Sequence, residues 1–340
     1  MPANKMPTET LTRRSFMTAT AAFGAGLAAP AGLAGPTWAQ AAYPARPVHL
    51  IVPYAAGGGT DFFARLVATS MSGTLGQQIV VENRPGAGTQ IGAEAAAKAE
   101  PDGYTFLLGD TSTYASNKSL YQKLPYDPQK DFAPISLTGR FAIVLLVNTD
   151  KLNVNSVQAL IDAAKKTPGA IDYASAGVGS PFHLAAELFA QSSGIKLNHV
   201  PYKGAGPALQ DLAGGQIGMM FVDFATARSQ LNLKSIKAIG VCSPGEFYGL
   251  PGVSAVAATV PGFEAWAWQG FSVPVKVSPD IVAKLREAYL KAVNDPAIKQ
   301  KLIDAGIDPL QSTPQEMAAY VASETAKWEK VIRTAGIKLD

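Results

Sequence analysis

From Val48 onward, short apolar runs bounded by Gly, Pro and Asn alternate with stretches whose apolar residues recur at helical spacing. The runs Val48–Pro53, Ile79–Glu82, Tyr104–Leu108, Ile171–Ala174, Leu197–Pro201, Gln216–Val222 and Ile236–Val241 predict strands. Between them the spacing predicts helices such as Asp61–Leu75, with Phe62, Phe63, Leu66, Val67 and Met71 on one apolar face. Strand–helix–strand repetition implies an α/β fold of parallel sheets covered by helices.

Two segments break the alternation. Ile135–Asn148 and Phe263–Pro274 are long, apolar and extended, with no helical spacing inside them. A chain that leaves one α/β lobe, builds a second and returns needs two such crossing strands. The expected organisation is therefore a leader at 1–41, one lobe from 42–140 plus 263–340, and a second lobe at 141–262. The chain closes on helices, with Val282, Leu285, Val293, Tyr320, Val321 and Trp328 facing the core. Three helix starts read Ser180-Pro181, Ser278-Pro279 and Thr313-Pro314, each a capping hydroxyl followed by a proline that fits the first turn. Glu316, three residues after Thr313, predicts a capping box.

Composition narrows the class. A hydrophobic fraction of 47% against 16% charged residues supplies packed cores and argues against disorder. The formal charge of +3 resides mostly in Lys5, Arg13 and Arg14, within the leader. No dense Lys/Arg run follows, which argues against a nucleic-acid partner. Thr12-Arg13-Arg14-Ser15-Phe16-Met17 is a twin-arginine pattern, followed by an Ala/Gly-rich apolar stretch and Ala39-Gln40-Ala41, an A-x-A cleavage site. Cleavage after Ala41 and residence in the periplasm are expected; Pro30, Pro36 and many glycines disfavour a retained membrane anchor. The single cysteine, Cys242, sits in an apolar run and reads as a small core residue. His49, His183 and His199 lack metal-ligand spacing, and no cofactor motif occurs.

Two Gly-rich loops carry the candidate chemistry. Tyr54-Ala55-Ala56-Gly57-Gly58-Gly59-Thr60-Asp61 leaves a strand and opens a helix, where free N–H groups and the helix dipole suit an anion. Tyr54, Gly58, Gly59, Thr60 and Asp61 are its candidate contacts. Ser175-Ala176-Gly177-Val178-Gly179-Ser180-Pro181-Phe182-His183 repeats the arrangement in the other lobe, with Ser175, Ala176, Gly177, Gly179, Ser180 and His183 as candidates. Ligands of open α/β sheets sit beyond the carboxyl ends of the strands, so the two loops would grip a carboxylate across a cleft. No P-loop pattern occurs in the sequence, and Gly86-Ala87-Gly88-Thr89-Gln90-Ile91-Gly92 misses the dinucleotide spacing by one residue. Asp223 ends an apolar strand where it can reach the cleft, and Trp268 either lines the pocket or packs the hinge. Ser175 or Ser180 with His183 invites comparison with a hydrolase, yet neither serine stands in G-x-S-x-G, and Ser180 is explained as a helix cap.

Six motifs then stand in order: Tyr54–Asp61, Val81-Glu82-Asn83-Arg84-Pro85-Gly86-Ala87-Gly88, Pro101-Asp102-Gly103-Tyr104-Thr105, Leu124-Pro125-Tyr126-Asp127-Pro128, Ser175–His183 and Val200-Pro201-Tyr202-Lys203-Gly204. This series closely resembles the substrate-binding proteins of tripartite tricarboxylate transporters, the Bordetella-uptake-gene type, over essentially the whole mature chain. The resemblance implies a two-lobed, type II-like periplasmic binding protein, without catalytic residues, that closes on a small organic acid. In such receptors the loops matching Gly58–Asp61 and Ser175–Ser180 hold the ligand carboxylate. The loaded receptor, expected to be monomeric, docks on a permease with one large and one small subunit. Two departures from the family bear on the far end of the ligand. Val222-Asp223 stands where many relatives have Asp-Asn, and the segment Asp110-Thr111-Ser112-Thr113-Tyr114, with Thr111 and Ser112 as candidate contacts, varies widely. The expected ligand is a mono- or dicarboxylate, aliphatic or aromatic. The rival readings are a protein that presents its ligand to a membrane sensor kinase and an exported hydrolase.

Overall fold

The computed structural model describes residues 43–339, so the leader and its expected cleavage site lie outside the described residues. Ten strands form the sheet: β1 (Val48–Val52), β2 (Ile79–Asn83), β3 (Thr105–Asp110), β4 (Phe132–Asn148), β5 (Asp172–Ser175), β6 (Asn198–Pro201), β7 (Met219–Asp223), β8 (Ile236–Val241), β9 (Trp266–Pro274) and β10 (Ile307–Pro309). The helices are α1 (Gly59–Leu75), α2 (Gln90–Ala97), α3 (Asn117–Leu120), α4 (Val157–Lys166), α5 (Pro181–Ser193), α6 (Ala205–Ala213), α7 (Phe224–Ala227), α8 (Pro279–Asn294), α9 (Pro296–Asp304) and α10 (Pro314–Ala335).

The strand order is β2-β1-β3-β9-β4-β7-β5-β6, with β8 and β10 also pairing with β4. At one end β1 runs parallel to β2 and β3; at the other, β5 runs parallel to β6 and β7. The antiparallel pair β4–β9 joins them. β4 is 17 residues long: its first part pairs with β9 and β10, its second with β7 and β8. Both extended segments read from the sequence are thus central strands, although β9 begins at Trp266 rather than Phe263.

Local rules account for most helix ends. In α1, Phe63, Val67 and Met71 recur at every fourth position beside Ala64 and Ala68, giving one buried stripe, and Gly76 ends the helix at φ 69°. Phe62 falls off that stripe and is 44% exposed, correcting the face read from the sequence. Ser180 and Thr313 cap α5 and α10 as expected, and Thr313 and Glu316 complete the capping box. Ser278 precedes α8 but makes no side-chain cap bond.

α10 ties the two ends of the sheet together. Its Met317, Val321, Trp328, Val331 and Ile332 share one core with Tyr114, Leu184, Phe189 and Trp268. Burying a large side chain of this kind contributes about 1.5–3 kcal/mol. The Trp268 and Trp328 indole N–H groups both donate to Glu324 Oε2, at 2.9 and 2.8 Å, so neither is buried unpaired. Cys242 is a buried core residue, and burial pushes its thiol pKa up.

Candidate ligand-binding cleft

The carboxyl ends of β1 and β5 open into one cleft of about 860 Å³, a volume suited to a small molecule. The β1–α1 loop forms one wall. Gly58, the residue before α1, is extended and no side chain caps the helix, so its first-turn N–H groups remain available to a ligand. Asp61 does not line the cleft. It is 4% exposed and holds the loop from behind. Its Oδ2 accepts from Gly57 N–H at 2.9 Å and Arg65 Nε at 3.0 Å, and its Oδ1 from Asn83 Nδ2 at 2.9 Å. Asn83 Nδ2 also donates to Tyr54 O at 3.0 Å. Burial alone would raise the Asp61 pKa, but the bonds from Arg65, Gly57 and Asn83 outweigh it and hold the carboxyl below its ordinary value.

The β5–α5 loop forms the facing wall. Gly177 and Gly179 adopt φ values of 130° and 76°, open to glycine at no steric cost. Ala176, Gly177, Gly179 and Ser180 line the cleft, and Ser180 Oγ accepts from His183 N–H at 3.3 Å. Ser175 and His183 lie behind this loop, not in the cleft. His183 Nδ1 accepts from Gly179 N–H at 3.0 Å, which fixes Nδ1 as the unprotonated nitrogen. The imidazole stacks on His199 with centroids 3.8 Å apart, and His199 stacks on Tyr173. Burial, aided by the neighbouring His199, lowers the His183 pKa to about 3, and burial lowers His199 to about 4. Both rings are therefore neutral props under the loop.

This geometry does not assemble the triad weighed from the sequence. The serine–histidine contact that forms joins the fully buried Ser175 Oγ to His199 Nε2 at 2.6 Å. Ser180 meets only the His183 backbone.

The base of the cleft comes from β3, β7 and β9. Tyr54, Ser112 and Asp223 line it, as does Trp268, which also packs in the core and for which the sequence left both roles open, whereas Thr111 lies behind it, its Oγ1 accepting from Trp268 N–H at 3.3 Å. Asp223 caps α7, accepting from Thr226 N–H and Oγ1 at 2.8 Å each, and burial pushes its pKa up. The sequence places Asp110 in the segment expected at the far end of the ligand without singling it out as a contact, and gives no reading of Thr89, Asn117 or Gln269 as contacts; all four are lining residues. Asp110 Oδ1 accepts from Thr113 N–H and Oγ1 at 2.9 Å each, and Oδ2 accepts from Tyr54 OH. Burial raises the Asp110 pKa against those bonds. The Asp-x-x-Thr spacing after an apolar strand was the available signal for it. Ser112–Ser116 follows as a single wide π-type turn, an irregularity that often marks functional sites. Among the lining residues none is Lys, Arg or His; the charged side chains are Asp110 and Asp223.

The family model of the tripartite tricarboxylate transporter family receptor matches residues 63–337. The chain belongs to that receptor family. BugT of Bordetella pertussis is 36% identical over 313 residues, covering 92% of this chain and 95% of BugT. The solved structure of R. palustris Rpa4515 with adipate is 35% identical, with a TM-score of 0.79, covering 87% of this chain and 99% of that one. MatC from Rhodopseudomonas palustris with bound malate is 32% identical, with a TM-score of 0.75 over 85% of this chain and all of that one. The periplasmic binding protein BugD is 33% identical, with a TM-score of 0.76 over 87% of this chain and 99% of that one, so the receptor has the α/β fold of periplasmic solute-binding proteins, whose compartment is the periplasm, and its family serves transport.

Proposed function

We propose that this receptor captures a small carboxylate, mono- or dicarboxylate, in the cleft and delivers it to a tripartite permease with one large and one small membrane subunit, without catalysing a reaction. The observation that carries the reading is the pairing of two strand-to-helix loops, before α1 and α5, on opposite walls of a cleft without a basic side chain. Backbone N–H groups and helix dipoles favour an anion there and avoid the desolvation cost of a buried Lys or Arg. The ligands named for Rpa4515 and MatC, adipate and malate, are of the same class.

In this reading Gly58, Gly59, Thr60, Ala176, Gly177, Gly179 and Ser180 touch the carboxylate, while Asp61, Ser175 and His183 position the loops. Tyr54, Ser112, Asp223 and Trp268 meet the rest of the ligand. The lobes are 42–140 plus 263–340 and 141–262, hinged on β4 and β9. Closure is a population shift, since a ligand touching both lobes stabilises the closed form. The working receptor is a monomer, exported by its leader and cleaved after Ala41.

The test is a thermal-shift screen of the chain from Ala42 onward against mono-, di- and tricarboxylates, aliphatic and aromatic. A ligand at a hundred times its Kd stabilises by about 2.7 kcal/mol. The expected hit is weakened by Ser180→Ala and recovered chemically unchanged. A panel in which no acid raises Tm overturns the reading.

A further inference from the structure

Gln269 is the one cleft-lining side chain among the described residues that is buried with its whole polar end unpartnered. It is 1% exposed, and neither Nε2 nor Oε1 has a hydrogen-bond partner in the protein. A buried amide left in that state is costly, and buried polar groups are otherwise almost always paired. It stands in β9 opposite Asp110 of β3 on one side and Gly139 of β4 on the other. Directly opposed residues of paired strands present their side chains to the same face. Gly139 contributes none, and a Cβ built there would stand 3.5 Å from Gln269 Nε2. On the other flank the Asp110 oxygens are already engaged by Tyr54 and Thr113.

The chemistry of the pair restricts what can dock. Gln269 offers a donor and an acceptor side by side in one plane. An ionised carboxylate satisfies the donor but leaves Oε1 without a proton, and it would approach the Asp110 carboxylate, a like charge. A carboxamide satisfies both atoms at once and carries no charge.

We propose that Gln269 is a specificity-determining contact, and that it selects ligands whose second end is a carboxamide rather than a second carboxylate. The inference rests on the carboxylate-receptor reading, since the loops before α1 and α5 are taken to hold the acid end. It narrows the ligand to the mono-amides of dicarboxylic acids, a class set apart from adipate and malate.

Isothermal titration of the chain from Ala42 onward with matched trios tests it: glutarate, its mono-amide and pentanoate, then adipate, its mono-amide and hexanoate. In one trio at least, the mono-amide is expected to bind ten or more times tighter than both the diacid and the plain monoacid, on the order of what one buried hydrogen-bonding mismatch costs. Gln269→Met, close in volume and without the amide, should erase that preference, so that the mono-amide binds no tighter than the plain monoacid. Gln269→Glu should erase it too and weaken the diacid further; it serves where the Met variant does not fold. A diacid that binds as tightly as its mono-amide in both trios overturns the proposal, as does a preference that survives both substitutions. Absence of binding by all six acids overturns the proposal alone; the receptor reading beneath it falls only if the wider thermal-shift panel also gives no hit.

Discussion

Gly179 packs against Leu120 so closely that a Cβ built on the glycine would stand 2.4 Å from Leu120 Cδ1. The contact joins the β5–α5 loop to α3 at the edge of the cleft, and Gly179 meets it at a φ of 76°. Gly179→Ala is therefore expected to destabilise by about 1–2 kcal/mol from backbone strain alone, and to weaken binding of any acid that uses that loop. Gly73→Ala is the contrast. Gly73 lies within α1 with open space around its Cα, and alanine there should stabilise by about 0.5–1 kcal/mol. Urea unfolding of the two variants decides; equal midpoints would remove the argument.

The stacked His183 and His199 predict a pH dependence with a definite sign. Their folded pKa values, about 3 and about 4, lie below the ordinary value of 6.5. Over the interval between, the unfolded chain binds more protons than the folded one, so stability falls as pH is lowered from above 6.5 and levels off only below the folded values. His199→Asn removes one of the two groups and should flatten the profile. Unfolding midpoints at pH 8, 6.5, 5 and 4 check this, and a wild-type midpoint that stays constant across that range contradicts it.

Two helix starts with similar sequence should respond differently to the same substitution. Thr313 accepts from Glu316 N–H at 3.1 Å, and Glu316 Oε2 accepts from Thr313 N–H at 2.7 Å. Thr313→Ala should cost about 1 kcal/mol. Ser278 makes no cap bond, so Ser278→Ala should change stability by only a few tenths of that. Thermal unfolding distinguishes the pair, and equal losses would show that Ser278 caps in solution.

The strand runs, both Gly-rich loops and the two long extended segments were legible because each is written in contiguous residues: apolar periodicity, a Gly cluster, a capping hydroxyl. Facing and depth were not. Asp61 stands beside three glycines and reads as a ligand contact, yet its side chain turns back to Gly57, Arg65 and Asn83. Ser175 and His183 likewise belong to a loop that lines the cleft but to its hidden side, where they meet His199 from a different strand. Gln269 was passed over inside an apolar segment because its importance depends on register with Asp110 and Gly139, which are far from it along the chain. Phe62 fails for a nearer reason: one helical position is about 100° of rotation, enough to leave a buried stripe.

The long strand β4 has a mechanical consequence. Its pairing with β9 slips register between Pro134 and Ser136 and again between Leu137 and Gly139, and its pairing with β8 slips between Leu145 and Leu146. A strand held by ladders on both sides bends most easily where a ladder is interrupted. In the proposed hinged receptor, the slip between Leu137 and Gly139 sits beside Gln269, at the fulcrum, whereas Gly179 and Leu120 meet at the edge of the cleft. Displacement grows with distance from a fulcrum. A ligand contact at Gln269 would accordingly be made where that receptor scarcely moves.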